Sequence, residues 1–273
     1  TNEDTYTVEE ISVDTNKYIK LAKPVKLTIK KGLDSDGKNY VITKMKIEGQ
    51  GTAGIVSAEG DTKVELPGVV LENNVSVTLV AILDVNTQTI TFKIVNNKLK
   101  GSYSVRIKKV NMSDENSPIQ GVKFAVNSII NGEKRRTTTN PTSAGGLTDV
   151  ATVTLASETL SKIDTYTINE VNIDNSYIKL KSPISLQVSK QIADYKYGIK
   201  NIQLLQESNK SNAGNNVTLS NVELEDGDKV NINASVENNV ITVTIPNKSV
   251  TGKYSMDVVK TTEDYTTTIP GMT

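Results

Sequence analysis

The chain has no cysteine, no histidine and no tryptophan among its 273 residues. Without cysteine there is no disulfide, no thiol nucleophile and no thiolate metal site. Without histidine the Ser–His–Asp triad, the Cys–His pair and most zinc sites are excluded. Lysine and the acidic residues are left as the reactive groups. Lys plus Arg and Asp plus Glu each total 31, so no charge excess points to nucleic acid or an anionic membrane. The charges are interspersed, as on a solvated surface. No apolar run approaches the ~18 residues of a membrane-spanning helix, and no leader or sorting motif is recognised. The first residue, Thr1, is not an initiator, so the chain reads as a processed or excised piece. No cofactor is expected.

What is abundant is Thr, Val, Ile and Asn. The first three favour strands and the last favours turns. Internal repetition organises the chain. TYTVEE at 5–10 matches TYTINE at 165–170, and KYIKLAKPVKLTIKK at 17–31 matches SYIKLKSPISLQVSK at 176–190. TITFKIVNNKLKGSYSVRIKKV at 89–110 matches VITVTIPNKSVTGKYSMDVVKT at 240–261, and SPIQGVKF at 117–124 matches TTIPGMT at 267–273. Residues 101–251 therefore make one complete repeat. Residues 1–100 are the later part of a preceding repeat, and 252–273 open a following one. SYSVRIKKV, GVKFAVNSII, VATVTL, TYTINEV, PISLQV, KVNINASV and NVITVTI alternate like half-buried strands. DSDGKN, NPTSAGG and EDGD separate strands as turns. ETLSKI at 158–163 is the one place for a helical turn. Regular short strands predict an all-β sandwich.

Alternate side chains of a strand share a face. In the first strand of the complete repeat Tyr103, Val105 and Ile107 lead to Lys109. In TYTINE, Tyr166 and Ile168 lead to Glu170. In the last strand Ile241, Val243 and Ile245 lead to Asn247. Three apolar stripes thus end in an amine, a carboxyl and a carboxamide. The flanking half-repeats do the same: Tyr6 and Val8 lead to Glu10, Ile90, Phe92 and Ile94 to Asn96, and Tyr254, Met256 and Val258 to Lys260. At a core edge, burial favours a neutral amine and a neutral acid. The amine is then a nucleophile, and the acid relays protons to the carboxamide. The expected product is a Lys–Asn side-chain amide, formed once per molecule, and turnover chemistry is not expected. The bland reading is a set of strand-end Lys and Glu residues reaching water and an Asn beside a turn.

On these residues the sequence resembles the Cna-B domains, also called prealbumin-like, of Gram-positive adhesins and pilins. RIKKVN followed by SPIQGVKFAV looks like that family's Lys-bearing first strand and the turn into its second. TYTINEVNIDNSYIKLKSPISLQV looks like its Tyr-x-x-x-Glu strand, its loop to a Tyr, and the next strand after a Pro. VITVTIPNKSVTGKYS looks like its Asn-bearing final strand and the start of the next domain. The resemblance implies tandem immunoglobulin-like sandwiches with isopeptide bonds. It assigns Lys109 and Asn247 as the bonded pair, with Glu170 as promoter. In the flanking halves it assigns Glu10, Asn96 and Lys260. It implies a stalk or fibre segment outside the cell, attached to the wall or polymerised into a pilus. One departure stands out: about 191–238, and about 32–88 in the first half-repeat, intervene where the family has a short turn.

Other motifs are weaker. Asn-x-Ser/Thr triplets such as those at 74–76, 111–113, 216–218, 233–235 and 247–249 are expected by chance in so Asn-rich a chain. DSDGKN and LEDGDKV have the flavour of calcium loops without the closing Glu, and Asp34, Asp36, Asp226 and Asp228 are the residues to examine. Tyrosines near strand starts suit core or edge packing. The partners expected are neighbouring repeats or identical subunits in a fibre, where Lys260 of one copy would meet Glu10 and Asn96 of the next. The competing functions are a module binding host matrix or carbohydrate through the inserted segment, and an accessory β domain of a secreted hydrolase.

Overall fold

A computed structural model describes residues 2–49, 52–58 and 60–252. Those residues are strands, turns and one short 3-10 turn at Ser157–Thr159, inside the ETLSKI segment. The first region contains β1 (Glu3–Val8), β2 (Tyr18–Ile19), β3 (Val25–Leu33), β4 (Tyr40–Gly49), β5 (Thr52–Val56), β6 (Lys63–Val70), β7 (Ser76–Asp84), β8 (Thr89–Lys93) and β9 (Asn97–Lys98). They pair as a sheet β1-β3-β4-β5, a sheet β6-β7-β8 and the small pair β2-β9.

The second region opens with β10 (Lys100–Asn111), β11 (Asp114–Pro118), β12 (Lys123–Ile130), β13 (Glu133–Thr138) and β14 (Ala151–Thr154). It continues with β15 (Asp164–Asn172), β16 (Tyr177–Ile178), β17 (Ile184–Ala193), β18 (Lys196–Gln206), β19 (Asn209–Lys210), β20 (Asn216–Glu223), β21 (Lys229–Glu237) and β22 (Val240–Ser249). One ladder runs β13-β12-β15-β17-β18 and the other runs β10-β22-β21-β20, with β14 and β11 also on β10. The ladders face each other, since the Tyr103 hydroxyl on β10 meets that of Tyr166 on β15 at 2.7 Å. They join at one end, where Lys100–Gly101 pairs in parallel with Lys196–Tyr197. A Cβ on Gly101 would lie 2.0 Å from the Tyr197 carbonyl oxygen, so only glycine permits this approach.

The alternation in the sequence is the alternation in burial. Ile241, Val243 and Ile245 on β22 are fully buried, and so are Ile184, Leu186 and Val188 on β17. Each such side chain contributes roughly 1.5–3 kcal/mol relative to exposure. β11 and β13 were not legible this way. Every residue of DENSP and EKRRTT in these strands is exposed, so no apolar period marks them; backbone pairing with β10 and β12 makes them strands.

The segment 191–238 proves to be part of the sheets. β18 pairs with β17, and the β20–β21 hairpin pairs with β22. The first region follows the same plan, with β3–β4 in the place of β17–β18 and β6–β7–β8 in the place of β20–β21–β22. Each long intervening segment thus widens both ladders.

Candidate functional site

Lys109, Glu170 and Asn247 come from three strands and converge at one end of the second region. β10 and β22 run in parallel, with Lys109 opposite Ile245 and Asn111 opposite Asn247. β15 lies in the facing ladder. Its Glu170 Oε1 is 2.7 Å from Lys109 Nζ. The same amine donates to the Ile245 carbonyl at 2.9 Å and to Asn247 Oδ1. Asn247 Nδ2 donates to Glu170 Oε2 at 3.3 Å, and the Leu180 backbone N–H donates to that oxygen at 2.9 Å. The Leu180 contact fixes the carboxyl between amine and carboxamide.

Water is shut out of this cluster. Lys109 and Asn247 are 0% exposed and Glu170 is 6% exposed. Part of the cover is the loop at Gly146, whose carbonyl accepts the Lys109 N–H at 2.7 Å. Gly146 has φ of 72°, and a Cβ there would lie 2.3 Å from the Lys109 carbonyl oxygen, so the loop closes on glycine alone. Lys108, the neighbouring lysine, bridges to Leu147 through its backbone and takes no part.

Burial pushes the Lys109 ammonium down from 10.5 to about 8, against the attraction of Glu170, which raises it. Desolvation wins because the side chain has no water to solvate its charge. This has a measurable consequence in an Asn247→Ala chain, where Lys109 remains a titrating amine. The unfolded chain holds the Lys109 proton up to about 10.4, whereas the folded chain releases it near 8. Between those values the unfolded state binds more protons, so stability rises with pH. Relative to an Asn247→Ala chain that also carries Lys109→Met, this variant should gain up to roughly 3 kcal/mol as pH climbs through this window. Urea midpoints of both chains at the two ends of the window measure it; parallel midpoints would contradict the depressed value.

The first region repeats part of the arrangement. Glu10 Oε2 accepts the Leu21 N–H at 2.6 Å, as Glu170 does from Leu180. Asn96 Nδ2 donates to Glu10 Oε1 at 2.7 Å. Asn96 Oδ1, the counterpart of the atom facing Lys109, is buried without a hydrogen-bond partner among the described residues. Lys260 lies outside the described residues. Tyr6 is 51% exposed where its counterpart Tyr166 is 4% exposed; among the described residues β1 pairs only with β3, while β15 has β12 on its other side. The carboxyl–carboxamide contact therefore forms even on a less enclosed sheet.

The four aspartates considered as calcium ligands sit elsewhere. Asp34 accepts from the Lys38 N–H and the Asn39 side chain in the β3–β4 turn, and these bonds hold its carboxyl below the usual range. Asp36 lies in that same turn. Asp226 and Asp228 both receive Lys248 Nζ, whose own pKa they raise. Among the described residues no group of three or more acidic side chains converges as a metal site.

Parity along TYTINE and PISLQV contains one more cluster that the sequence reading passed over. Asp164 precedes Tyr166 by two residues, and Lys190 follows Val188 by two, so both share the inward face. They form a buried ion pair at 2.8 Å at the other end of the same strands.

No protein-family model matches the chain, and no curated protein matches it. Among solved structures, a C-terminal fragment of the pilus adhesin SpaC from Lactobacillus rhamnosus GG is 16% identical. It superposes with a TM-score of 0.45 over 93% of this chain and 80% of that one. An iodide-soaked crystal of the fragment gives 16% identity and 0.41 over 92% and 79%. SpaC in its open conformation gives 16% and 0.34 over 93% and 26%. At that distance the likeness carries no argument, and the functional reading rests on the side-chain geometry.

Proposed function

We propose that this chain is a load-bearing segment of a Gram-positive cell-surface adhesin or pilus-like fibre, closed by an autocatalytic amide between Lys109 and Asn247. The observation that carries the reading is the buried contact of Lys109 Nζ with both the Glu170 carboxyl and the Asn247 carboxamide. Proton transfer from Lys109 to Glu170 gives a neutral amine and a neutral acid. The amine attacks Asn247 Cγ while the acid polarises the carboxamide. The C–N bond to Nδ2 breaks, Nδ2 takes one proton from Glu170 while Glu170 takes the one that Nζ gives up, and ammonia departs. One amide and one ammonia replace one amine and one carboxamide, and Glu170 is regenerated. Fixed proximity supplies most of the rate, since aligned groups reach effective molarities of ~10⁵ M or more.

The bond joins β10 to β22, the first and last strands of the second region. Pulling on the ends of that region would load these two parallel strands directly, and a covalent link between them passes force around the rest of the sheets. That is what a stalk needs, and a soluble binding module has less use for it. Glu10 and Asn96 read as the same device in the preceding repeat, with a lysine strand such as that of Lys260 as the third member. The surface location follows from this reading, as do neighbouring repeats or further copies as partners.

Peptide mapping of the denatured chain tests it. Wild type is expected to yield a branched species joining the peptides of residues 109 and 247, lighter by one ammonia than their sum. Asn247→Ala should lack it. Linear, unmodified peptides at both positions in the folded wild type would reject the cross-link and, with it, the load-bearing role.

A further inference from the structure

The far end of the same strands holds a second buried amine and carboxyl beside a half-buried carboxamide, which the Lys109 site does not use. Lys190 on β17 and Asp164 on β15 have side chains 0% exposed. Lys190 Nζ is 2.8 Å from Asp164 Oδ1 and 3.1 Å from Asn131 Oδ1. Asn131 stands at the β12–β13 turn, with φ of 56° and Gly132 after it. Its backbone N–H donates to Asp164 Oδ1 at 2.8 Å, and its Nδ2 donates to the Thr154 carbonyl at 3.3 Å. The other Asp164 oxygen accepts the Tyr103 hydroxyl at 2.6 Å, and Tyr103 contacts Tyr166. Asp164 is thus held from several sides, and the Asn131 carbonyl is presented to the amine.

The inward placement of Lys190 follows from alternation along β17, where Ile184, Leu186 and Val188 precede it on the buried face. The β17–β18 register slips between Ser189 and Lys190, and the β3–β4 register slips at the matching place, between Lys30 and Lys31. Lys31 pairs with Asp4 at 2.7 Å, so the Lys–Asp pair recurs in the first region, there with 34% and 42% of the side chains exposed. The extra residue of each bulge stands on the partner strand, Lys200 on β18 and Thr43 on β4, so Lys190 keeps the inward face of its own strand. What the second region adds is burial and Asn131.

We propose that Lys190 and Asn131 form a second side-chain amide, with Asp164 as the proton carrier. One proton passes from Lys190 Nζ to Asp164 across their 2.8 Å contact. The amine attacks Asn131 Cγ, and the bond from Cγ to Nδ2 breaks. Asp164 returns its proton to the departing nitrogen, which also takes the proton lost from Nζ, so it leaves as ammonium (ammonia plus the proton Lys190 first carried) and Asp164 is again a carboxylate. The Thr154 carbonyl holds the leaving nitrogen on the side away from Lys190. No oxidant, metal or co-reactant is needed. The bond would fasten the β12–β13 turn to β17, so that the second region carries one staple at each end. It uses none of Lys109, Glu170 or Asn247, so the two bonds stand or fall separately.

The test is peptide mapping of the full folded chain after denaturation. The expected result is a branched species joining the peptides of residues 131 and 190, lighter by one ammonia than their sum, with no tryptic cleavage after Lys190. Lys190→Arg keeps the positive charge beside Asp164 but removes the amine nucleophile. Asn131→Gly suits the left-handed backbone of the turn but removes the carboxamide. Both should abolish this species and leave the 109–247 species in place. Tryptic cleavage after Lys190 together with a linear peptide carrying Asn131 would overturn the proposal. A cyclic imide at Asn131–Gly132 sheds the same ammonia but gives a linear peptide, and that result also overturns it.

Discussion

A Glu170→Ala chain is expected to leave the Lys109–Asn247 amide unformed and to lose roughly 5 kcal/mol or more of stability. Lys109 and Asn247 are 138 apart in sequence. Closing a loop of that length removes about 5 kcal/mol of denatured-state entropy in the chain-entropy account. Two further costs fall on the variant. The Leu180 N–H loses its acceptor inside the core, worth about 1–3 kcal/mol. Lys109 also loses its counter-charge where no water reaches it. For a region of this size the drop in Tm is on the order of 10–20 °C. Glu170→Gln separates the contributions. It keeps an acceptor for Leu180 but has no acidic proton, so the amide should still be absent and the loss should be smaller. Calorimetry with peptide mapping of the three chains measures both effects. A Glu170→Ala chain that still carries the amide would remove Glu170 from the chemistry.

Asp164→Ala should be nearly as damaging, at about 3–5 kcal/mol. Its carboxylate receives Lys190, the Asn131 N–H and the Tyr103 hydroxyl, and all three donors point into a closed space. Burial raises the Tyr103 phenol well above its ordinary range, so that hydroxyl stays a donor in need of an acceptor. Removing one partner of a buried pair strands the other, which costs more than the pair contributes when intact. Asp4→Ala is the control. The Asp4–Lys31 pair sits at the matching position but in contact with solvent, which screens it. Denaturant midpoints of the two variants should differ widely. Similar midpoints would mean that enclosure of Asp164 has little energetic weight.

The all-β class was legible because alternation along β10, β15, β17 and β22 is nearly unbroken. The same alternation selects Lys109 over Lys108 and Asn96 over Asn97, and these are the side chains that the structure places against Glu170 and Glu10. Extended two residues further, it also reaches Asp164 and Lys190; the signal was present but ended a stripe at its opposite end. Asn131 carried no such signal. It lies in a turn, where period-two reasoning stops, and its side chain is placed by the left-handed backbone of that turn. β13 was illegible for another reason. Its six residues are all exposed, and only pairing with β12 makes EKRRTT a strand. The segment 191–238 showed strand-like pieces in the sequence, but their partners were unspecified until β18 and β21 were seen on β17 and β22.

The sequence by itself determined the available chemistry, the internal similarity and the facing of residues along the alternating strands. Composition removed thiol and imidazole chemistry, and local steric alternation sets which side chains turn inward, whatever the strands later pair with. Which inward polar groups meet was decided only by the tertiary structure. The parallel pairing of β10 with β22 joins residues more than a hundred positions apart, and no local pattern encodes such a register. Enclosure was decided there too. An amine at the end of a strand is an ordinary ammonium until a facing ladder and a glycine loop remove its water, and that removal is what pushes the Lys109 ammonium down to about 8.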